Sequence, residues 1–303
     1  MDLITTNELC KQYGHKLVIN HVNMHIPEHS IYGFVGENGS GKTTIMRLLT
    51  GLAEPTSGTF TLFGIENKDY RIHETRRQLS AIVEATSLVP TLTARDNLRF
   101  AELYLGISLT DEERNELLEK VHLEDVGNKR VKNFSLGMRQ RLGIAMALMN
   151  KPDLMLLDEP MNGLDPEGIN ELRELLIELN QKDGITVLIS SHILSELEKI
   201  ASYYGFISKG QIIEEISAED LKDKCRKSLC VTVDNLDKAK VVLEKQNIKD
   251  YKISSNGEIR IFDNVKIADT VLAFSQNGVE ILAINSSDES VEEYYLNLIK
   301  EGR

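Results

Sequence analysis

The segment Gly36-Glu37-Asn38-Gly39-Ser40-Gly41-Lys42-Thr43 satisfies G-x-x-x-x-G-K-[ST] at every fixed position. Glycines let consecutive backbone N–H groups curl around phosphate oxygens, and a helix opening near Lys42 points its positive end at the same place. Lys42 offers a point charge to β- and γ-phosphates, and the Thr43 hydroxyl is a hard ligand suited to Mg2+. Asn38, Gly39, Ser40, Gly41, Lys42, Thr43 and Thr44 are therefore candidate nucleotide-binding residues. The bland alternative is an ordinary glycine turn; the apolar run before the segment and the helical run after it favour the phosphate cradle. A second candidate is the pair Asp158-Glu159, which closes the apolar run 154–157. A carboxylate at such a strand end can hold Mg2+, and its neighbour can orient or deprotonate an attacking water. Alone, two adjacent carboxylates fit a solvated turn equally well. Beside a phosphate cradle the solvated turn becomes the lesser reading.

These residues need elements to position them. Residues 31–35 form an apolar strand entering the glycine loop, and 42–52 read as a helix with Gly51 near its end. Residues 154–157 and 185–190 are two further buried strands. Between them 166–182 is an amphipathic helix, with Asp165 as its cap, Pro166 at its first position and Gly184 beyond its end. Strands alternating with helices predict a parallel α/β sheet. Residues 85–150 read as mostly helical, with helices over 93–105 and 110–121; Thr110 and Glu113 make a capping box for the second. A tight turn at Lys209-Gly210 joins two short strands, and the capping-type signal Ser217–Asp220 marks a linker. Beyond it the order is strand 229–233, helix 236–246, strand 251–254, a turn at Asn256-Gly257, strand 258–262, helix 266–276, strand 279–284 and helix 291–300. That order matches a split βαβ, ferredoxin-like α+β unit without a chemical motif of its own. The expected domains are thus 1–216 and 217–303.

Composition excludes several classes. The 303 residues carry a net charge of −12, which disfavours a nucleic-acid partner, because phosphate backbones need basic surface. Aromatics are 6% and Trp is absent, so base-stacking platforms are not expected. No apolar run approaches the ~20 residues of a membrane helix, and the N-terminus has no signal-peptide pattern. The expected location is the cytosol, with any membrane contact made through a partner. Cys10, Cys225 and Cys230 are odd in number and form no CxxC, and are read as reduced thiols. His15, His21, His25 and His29 have mixed spacing, interrupted after the third by Pro27, that fits a strand pair with a turn better than a zinc site. Met146, Met149 and Met155 read as core.

A family resemblance then follows from several motifs in order. Asn133-Phe134-Ser135-Leu136-Gly137-Met138-Arg139-Gln140-Arg141 resembles the signature of ATP-binding-cassette (ABC) ATPases, usually L-S-G-G-Q. Ser135 and Gly137 match its Ser and second Gly, while Phe134, Leu136 and Met138 depart. Asn162-Gly163-Leu164-Asp165 is similar to the D-loop, Ser191-His192 to the switch histidine, and Tyr13 to the aromatic residue that stacks on adenine. The resemblance spans about residues 2–215. It implies a P-loop ATPase cassette with a parallel-sheet core and a helical subdomain at about 85–150, using ATP and Mg2+.

The resemblance implies roles as well. Such ATPases act as head-to-tail dimers, with ATP on the P-loop of one copy and under Ser135 and Gly137 of the other. Glu159 would be the general base, His192 would contact the γ-phosphate, and Asp165 would belong to the nucleotide site. Thr43, Asp158 and Glu84 would lie at the metal; Glu84 stands where the family's Q-loop usually carries Gln. With 92–98, that Glu resembles the lantibiotic self-protection and bacitracin-resistance exporters. The implied protein is the ATPase subunit of an exporter of antimicrobial peptides, drugs or similar amphipathic compounds. A second copy and an integral-membrane permease would be its partners, at the inner face of the membrane. A soluble ABC ATPase acting on a complex such as the ribosome is the alternative, and a non-hydrolysing binding module a further one.

Overall fold

The computed structural model describes residues 1–84, 87–254, 257–263, 265–287 and 290–301. They divide into two compact units, residues 1–218 and 219–301.

In the first unit the elements run β1 (Asp2–Tyr13), β2 (Lys16–Pro27), β3 (Ile31–Val35), α1 (Lys42–Thr50), β4 (Ser57–Leu62), β5 (Ile65–Glu66), α2 (Ile72–Thr75) and β6 (Leu79–Ile82). They continue with α3 (Ala94–Leu105), α4 (Asp111–Lys120), α5 (Leu136–Leu148), β7 (Leu154–Asp158), α6 (Pro166–Gln181), β8 (Thr186–Ser191), α7 (Leu194–Leu197), β9 (Tyr203–Ser208) and β10 (Gln211–Ser217). A six-stranded sheet has the order β10-β9-β3-β8-β7-β6. Strands β9, β3, β8, β7 and β6 pair in parallel, and β10 is added antiparallel through the Lys209-Gly210 turn. Every residue of β3 and β8 is buried, as are the first four of β7. Strands covered on both faces read as continuous apolar runs rather than alternating ones, which is why the sequence displays them.

A second, antiparallel sheet has the order β2-β1-β4-β5. Of this sheet the sequence suggests only a strand pair with a turn around the histidines 15–29. Its long strands carry several register shifts, at Thr6/Leu9 and Leu9/Lys11 among others, so the period-two pattern is broken. One core cluster joins both sheets through α1, with Ile4, Ile19 and Val22 from the antiparallel sheet, Ile45, Met46 and Leu49 from α1, and Phe34, Leu156 and Leu188 from the parallel one. Tyr32 on β3 is buried and donates to Glu215 Oε1 on β10 at 2.7 Å. Burial and the Glu215 charge push its phenol well above the ordinary value, so it stays protonated and donating. His21 and His25 lie on β2 and contact Glu8 and Glu215 at 2.7 and 3.0 Å. His15 lies in the β1–β2 turn, and His29 approaches the Gly184 carbonyl at 2.7 Å.

In the helical region Thr93 caps α3 by accepting from the Asp96 N–H, and Thr110 and Glu113 form the capping box of α4. Arg114 of α4 reaches Glu102 of α3 through Nε and Nη2, at 2.6 and 3.0 Å, and this pair ties the two helices together. Met149 and Met155 are core, whereas Met146 is only half-buried because it faces a cavity of about 280 Å³ beside β6.

The second unit contains most of α8 (Ala218–Cys225), then β11 (Ser228–Val233), α9 (Leu236–Lys245), β12 (Tyr251–Ile253), β13 (Glu258–Ile261), α10 (Ile267–Gln276), β14 (Ile281–Ser287) and α11 (Val291–Glu301). Its sheet order is β12-β13-β11-β14, with every neighbour antiparallel, the arrangement of a split βαβ unit. Leu229, Val231, Ile259, Ile261 and Phe274 form its own core. Asn256 of the expected hairpin turn lies outside the described residues; Gly257 has φ 84°.

Candidate functional site

Strand β3 runs directly into the glycine loop, and the loop is held tightly against its surroundings. A Cβ on Gly36 would come within 2.6 Å of the Ile207 carbonyl oxygen, and Gly41 combines φ 116° with Ile19 Cδ1 at 2.6 Å from such a Cβ. Only glycine meets both demands without displacing the strand neighbours. The loop is pinned from β9–β10, where the Gly210 N–H donates to the Ser40 carbonyl at 2.9 Å. Ser40 is buried and its Oγ has no hydrogen-bond partner in the protein. Lys42 is 5% exposed. Its ammonium donates to the carbonyls of Gly36 and Glu37 at 2.6 and 3.3 Å and lies 3.3 Å from Glu159 Oε1. A cation so deep must be compensated by such acceptors, and a phosphate oxygen would compete for it with the Glu159 carboxylate.

The carboxylates arrive from the adjacent strands. In the β7–β8 register Asp158 stands opposite Ser190. Asp158 Oδ2 accepts from Thr43 Oγ1 at 2.7 Å, and Oδ1 accepts from Ser190 Oγ at 2.6 Å. The Glu159 N–H donates to Ser190 Oγ at 2.9 Å. Glu159 has φ 49°, in the left-handed region, and its Oε2 lies 2.7 Å from His192 Nδ1. The structure thus gathers Lys42, Thr43, Asp158, Glu159 and His192 from three separate chain segments. Ser190 joins them and was not singled out from the sequence. The signal was present: a serine in an apolar strand must find partners when buried.

The remaining expected residues are distributed as follows. Asn38 and Gly39 are exposed on the loop, and Thr44 is half-buried on α1. Tyr13 at the end of β1 is 46% exposed, with Lys11 Nζ 4.9 Å from its ring centroid. Glu84, at φ 70°, forms an ion pair with Arg47 of α1, and its described contacts do not include Thr43 or Asp158. Ser135 caps α5 by accepting from the Met138 N–H at 3.1 Å. A Cβ on Gly137 would lie 3.7 Å from Gly168 Cα, and Asp165 caps α6 through Oδ1 to the Gly168 N–H at 2.9 Å. The signature residues therefore sit beside the start of α6, and their described contacts do not reach the P-loop of the same chain.

The donor set suits a nucleoside triphosphate with Mg2+. Ser40 Oγ is an unpaired polar atom in the loop, and Lys42 supplies the charge. Thr43 and Asp158 offer hydroxyl and carboxylate oxygens, the hard ligands that Mg2+ prefers.

Comparison with known proteins gives concordant matches. The family model described as ABC transporter matches residues 19–162. A bacitracin transport ATP-binding protein of Bacillus licheniformis is 41% identical over 302 residues, covering 99% of this chain and 98% of its own length. A lantibiotic transport ATP-binding protein of Streptococcus pyogenes is 45% identical over 213 residues, covering 70% of this chain and 90% of its own. Among solved structures, the ATP-binding cassette MJ0796, in a dimeric post-hydrolysis state bound to ADP and Pi, is similar with a TM-score of 0.63 and 26% identity. That match covers 71% of this chain and 98% of the other.

Proposed function

The chain belongs to the ABC transporter ATP-binding family, and from that premise we propose that it is the ATPase subunit of an exporter for antimicrobial peptides or similar amphipathic compounds. It binds and hydrolyses ATP as the family does. The observation that carries the proposal is the convergence of Lys42, Thr43, Asp158, Glu159 and His192 at the ends of β3, β7 and β8. The names of the relatives, bacitracin and lantibiotic transport proteins, support the cargo class.

In this reading the loop 36–43 cradles the phosphates, Lys42 holds the β- and γ-phosphates, and Tyr13 stacks on adenine. Thr43 and Asp158 are the residues that would hold Mg2+, which when bound neutralises phosphate charge. Glu159 accepts the proton of the attacking water, and His192 fixes its Oε2 while facing the γ-phosphate. Ser135, Gly137 and Asp165 serve the site across a dimer: the start of α5 presents N–H groups and a positive end to the γ-phosphate on a second copy. The translocation path belongs to a separate integral-membrane permease, which brings this subunit to the inner face of the membrane. No helix among the described residues is long and apolar enough to cross a membrane. The units 1–218 and 219–301 act as ATPase domain and accessory domain.

The test is Glu159→Gln in the purified chain. It removes the base and keeps the cradle, so turnover should fall by roughly 10²–10⁴ while ATP binding persists and an ATP-bound dimer accumulates in light scattering. Lys42→Ala should instead weaken ATP binding. Wild-type turnover in Glu159→Gln would remove the assigned base.

A further inference from the structure

Ser190 is the penultimate residue of β8 and is fully buried, directly after Val187, Leu188 and Ile189. A hydroxyl at such a position is unfavourable unless both its donor and its acceptor capacity are used. Both are used, and both on the two catalytic-site carboxylate residues. The Ser190 proton goes to Asp158 Oδ1 at 2.6 Å, and its lone pair receives the Glu159 N–H at 2.9 Å. The first bond leaves Asp158 Oδ2 to meet Thr43. The second ties down a residue whose φ of 49° side chains rarely adopt.

We propose that Ser190 is a positioning residue for ATP hydrolysis, whose single hydroxyl sets the orientation of Asp158 and locks the left-handed turn that aims the Glu159 carboxylate between Lys42 and His192. The proposal rests on the reading of Glu159 as base. The geometry explains why one atom can serve both residues. Asp158 and Ser190 are register partners on adjacent parallel strands, so the hydroxyl lies beside the strand end where Asp158 gives way to Glu159. Without the hydroxyl, the described hydrogen bonds of the Glu159 backbone reduce to the Asn162 N–H on its carbonyl at 3.1 Å, and the N–H side of the left-handed turn loses its anchor. A displacement of about 1 Å at a reacting group is enough to cost ~10²-fold. Ser190 makes no described contact with the phosphate loop itself: Lys42 is held by Gly36, Glu37 and Glu159, and Thr43 is reached only through Asp158.

The experiment compares Ser190→Ala, Ser190→Thr and Ser190→Cys in the full chain, each alone and with Glu159→Gln. Readouts are kcat and KM for ATP with Mg2+, the affinity for a fluorescent ATP analogue, and the thermal unfolding midpoint. Ser190→Ala should lower kcat by roughly ten- to hundredfold with analogue affinity changed less than about threefold. Ser190→Thr, which keeps the hydroxyl, should recover most of that loss. In the Glu159→Gln background Ser190→Ala should cost less than it does alone, because the part of its effect that runs through Glu159 is already lost. Ser190→Cys has nearly the same volume and only a weak donor and acceptor. It decides the matter if alanine prevents folding, and its kcat must also fall at unchanged affinity. A wild-type kcat in a folded alanine or cysteine variant overturns the proposal, as does a lowered unfolding midpoint with kcat per folded molecule unchanged. Wild-type turnover in Glu159→Gln alone overturns the base assignment instead, and with it this role for Ser190.

Discussion

Glu84→Gln should leave the isolated subunit an active ATPase, and the structure sets the size of the effect. The carboxylate is paired with Arg47, and the two side chains are 62% and 37% exposed. Exposed ion pairs are worth about 0.2–1 kcal/mol, because water screens them and two long side chains must be held in place. One kcal/mol corresponds to roughly fivefold in any step that depends on the pair. Glu159 stands in a different setting, 22% exposed, 3.3 Å from Lys42 and 2.7 Å from His192. Loss of a general base costs roughly 10²–10⁴ in rate. The two glutamines should therefore differ by more than an order of magnitude in turnover, although both remove one negative charge.

The assay is ATP turnover by wild type, Glu84→Gln, Arg47→Gln and the double variant, at low and high ionic strength. The double-mutant coupling should not exceed about 1 kcal/mol and should shrink with salt, since the screening length falls to ~3 Å at 1 M. Transport by the assembled complex should fall further than turnover does, because Glu84 lies two residues beyond β6, the edge strand of the sheet, on the way into the helical region. Near-complete loss of turnover in the isolated subunit, with folding and ATP binding intact, would make Glu84 a primary catalytic group and refute this reasoning.

Two further outcomes follow from packing. Arg114→Met leaves the 10%-exposed Glu102 side chain without its charge partner, a loss of ~3–5 kcal/mol in urea unfolding. Arg114 holds the Glu102 carboxyl below the usual carboxylate range, so the pair contributes fully above the unfolded value near pH 4.3 and is lost as pH falls through the folded one. The wild-type advantage should narrow in acid, and a gap of constant size from pH 7 to pH 3 would refute the pairing. A chain ending at Ala218 should retain ATP binding, because every described contact of Lys42, Thr43, Asp158 and Glu159 lies within residues 36–192. A folded truncation that fails to bind ATP would refute the division of labour.

What the sequence disclosed has a physical pattern. Strands β3, β7 and β8 are buried on both faces, so they appear as short apolar runs with chemistry at their ends. Helices α4 and α6 announce themselves through caps at Thr110 and Asp165. The antiparallel sheet was largely hidden, because register shifts along β1 interrupt alternation and because Glu8 and His21 take positive φ within the strands. Ser190 was hidden for another reason: its partners are 32 and 31 positions away, and only the parallel pairing of β7 with β8 brings them together. Arg47 belongs to no motif, and only the fold sets it against Glu84.

The strand order makes these separate signals one site. Strands β3, β8 and β7 are consecutive neighbours, all parallel, so their C-terminal ends open on the same edge of the sheet. Val35 pairs with Ser191 and Asp158 with Ser190, which sets the glycine loop, His192 and both carboxylates at one sheet edge. Side chains on a strand alternate between faces, so a slip of one residue between β7 and β8 would turn Ser190 away from Asp158. The hydroxyl bond from Ser190 to Asp158 therefore reports the register itself. It couples the correct pairing of two otherwise apolar strands to the placement of Asp158 and Glu159. A pairing error that the apolar core would tolerate loses this bond, leaving the half-buried Asp158 carboxylate with Thr43 alone and the buried Ser190 hydroxyl without its acceptor.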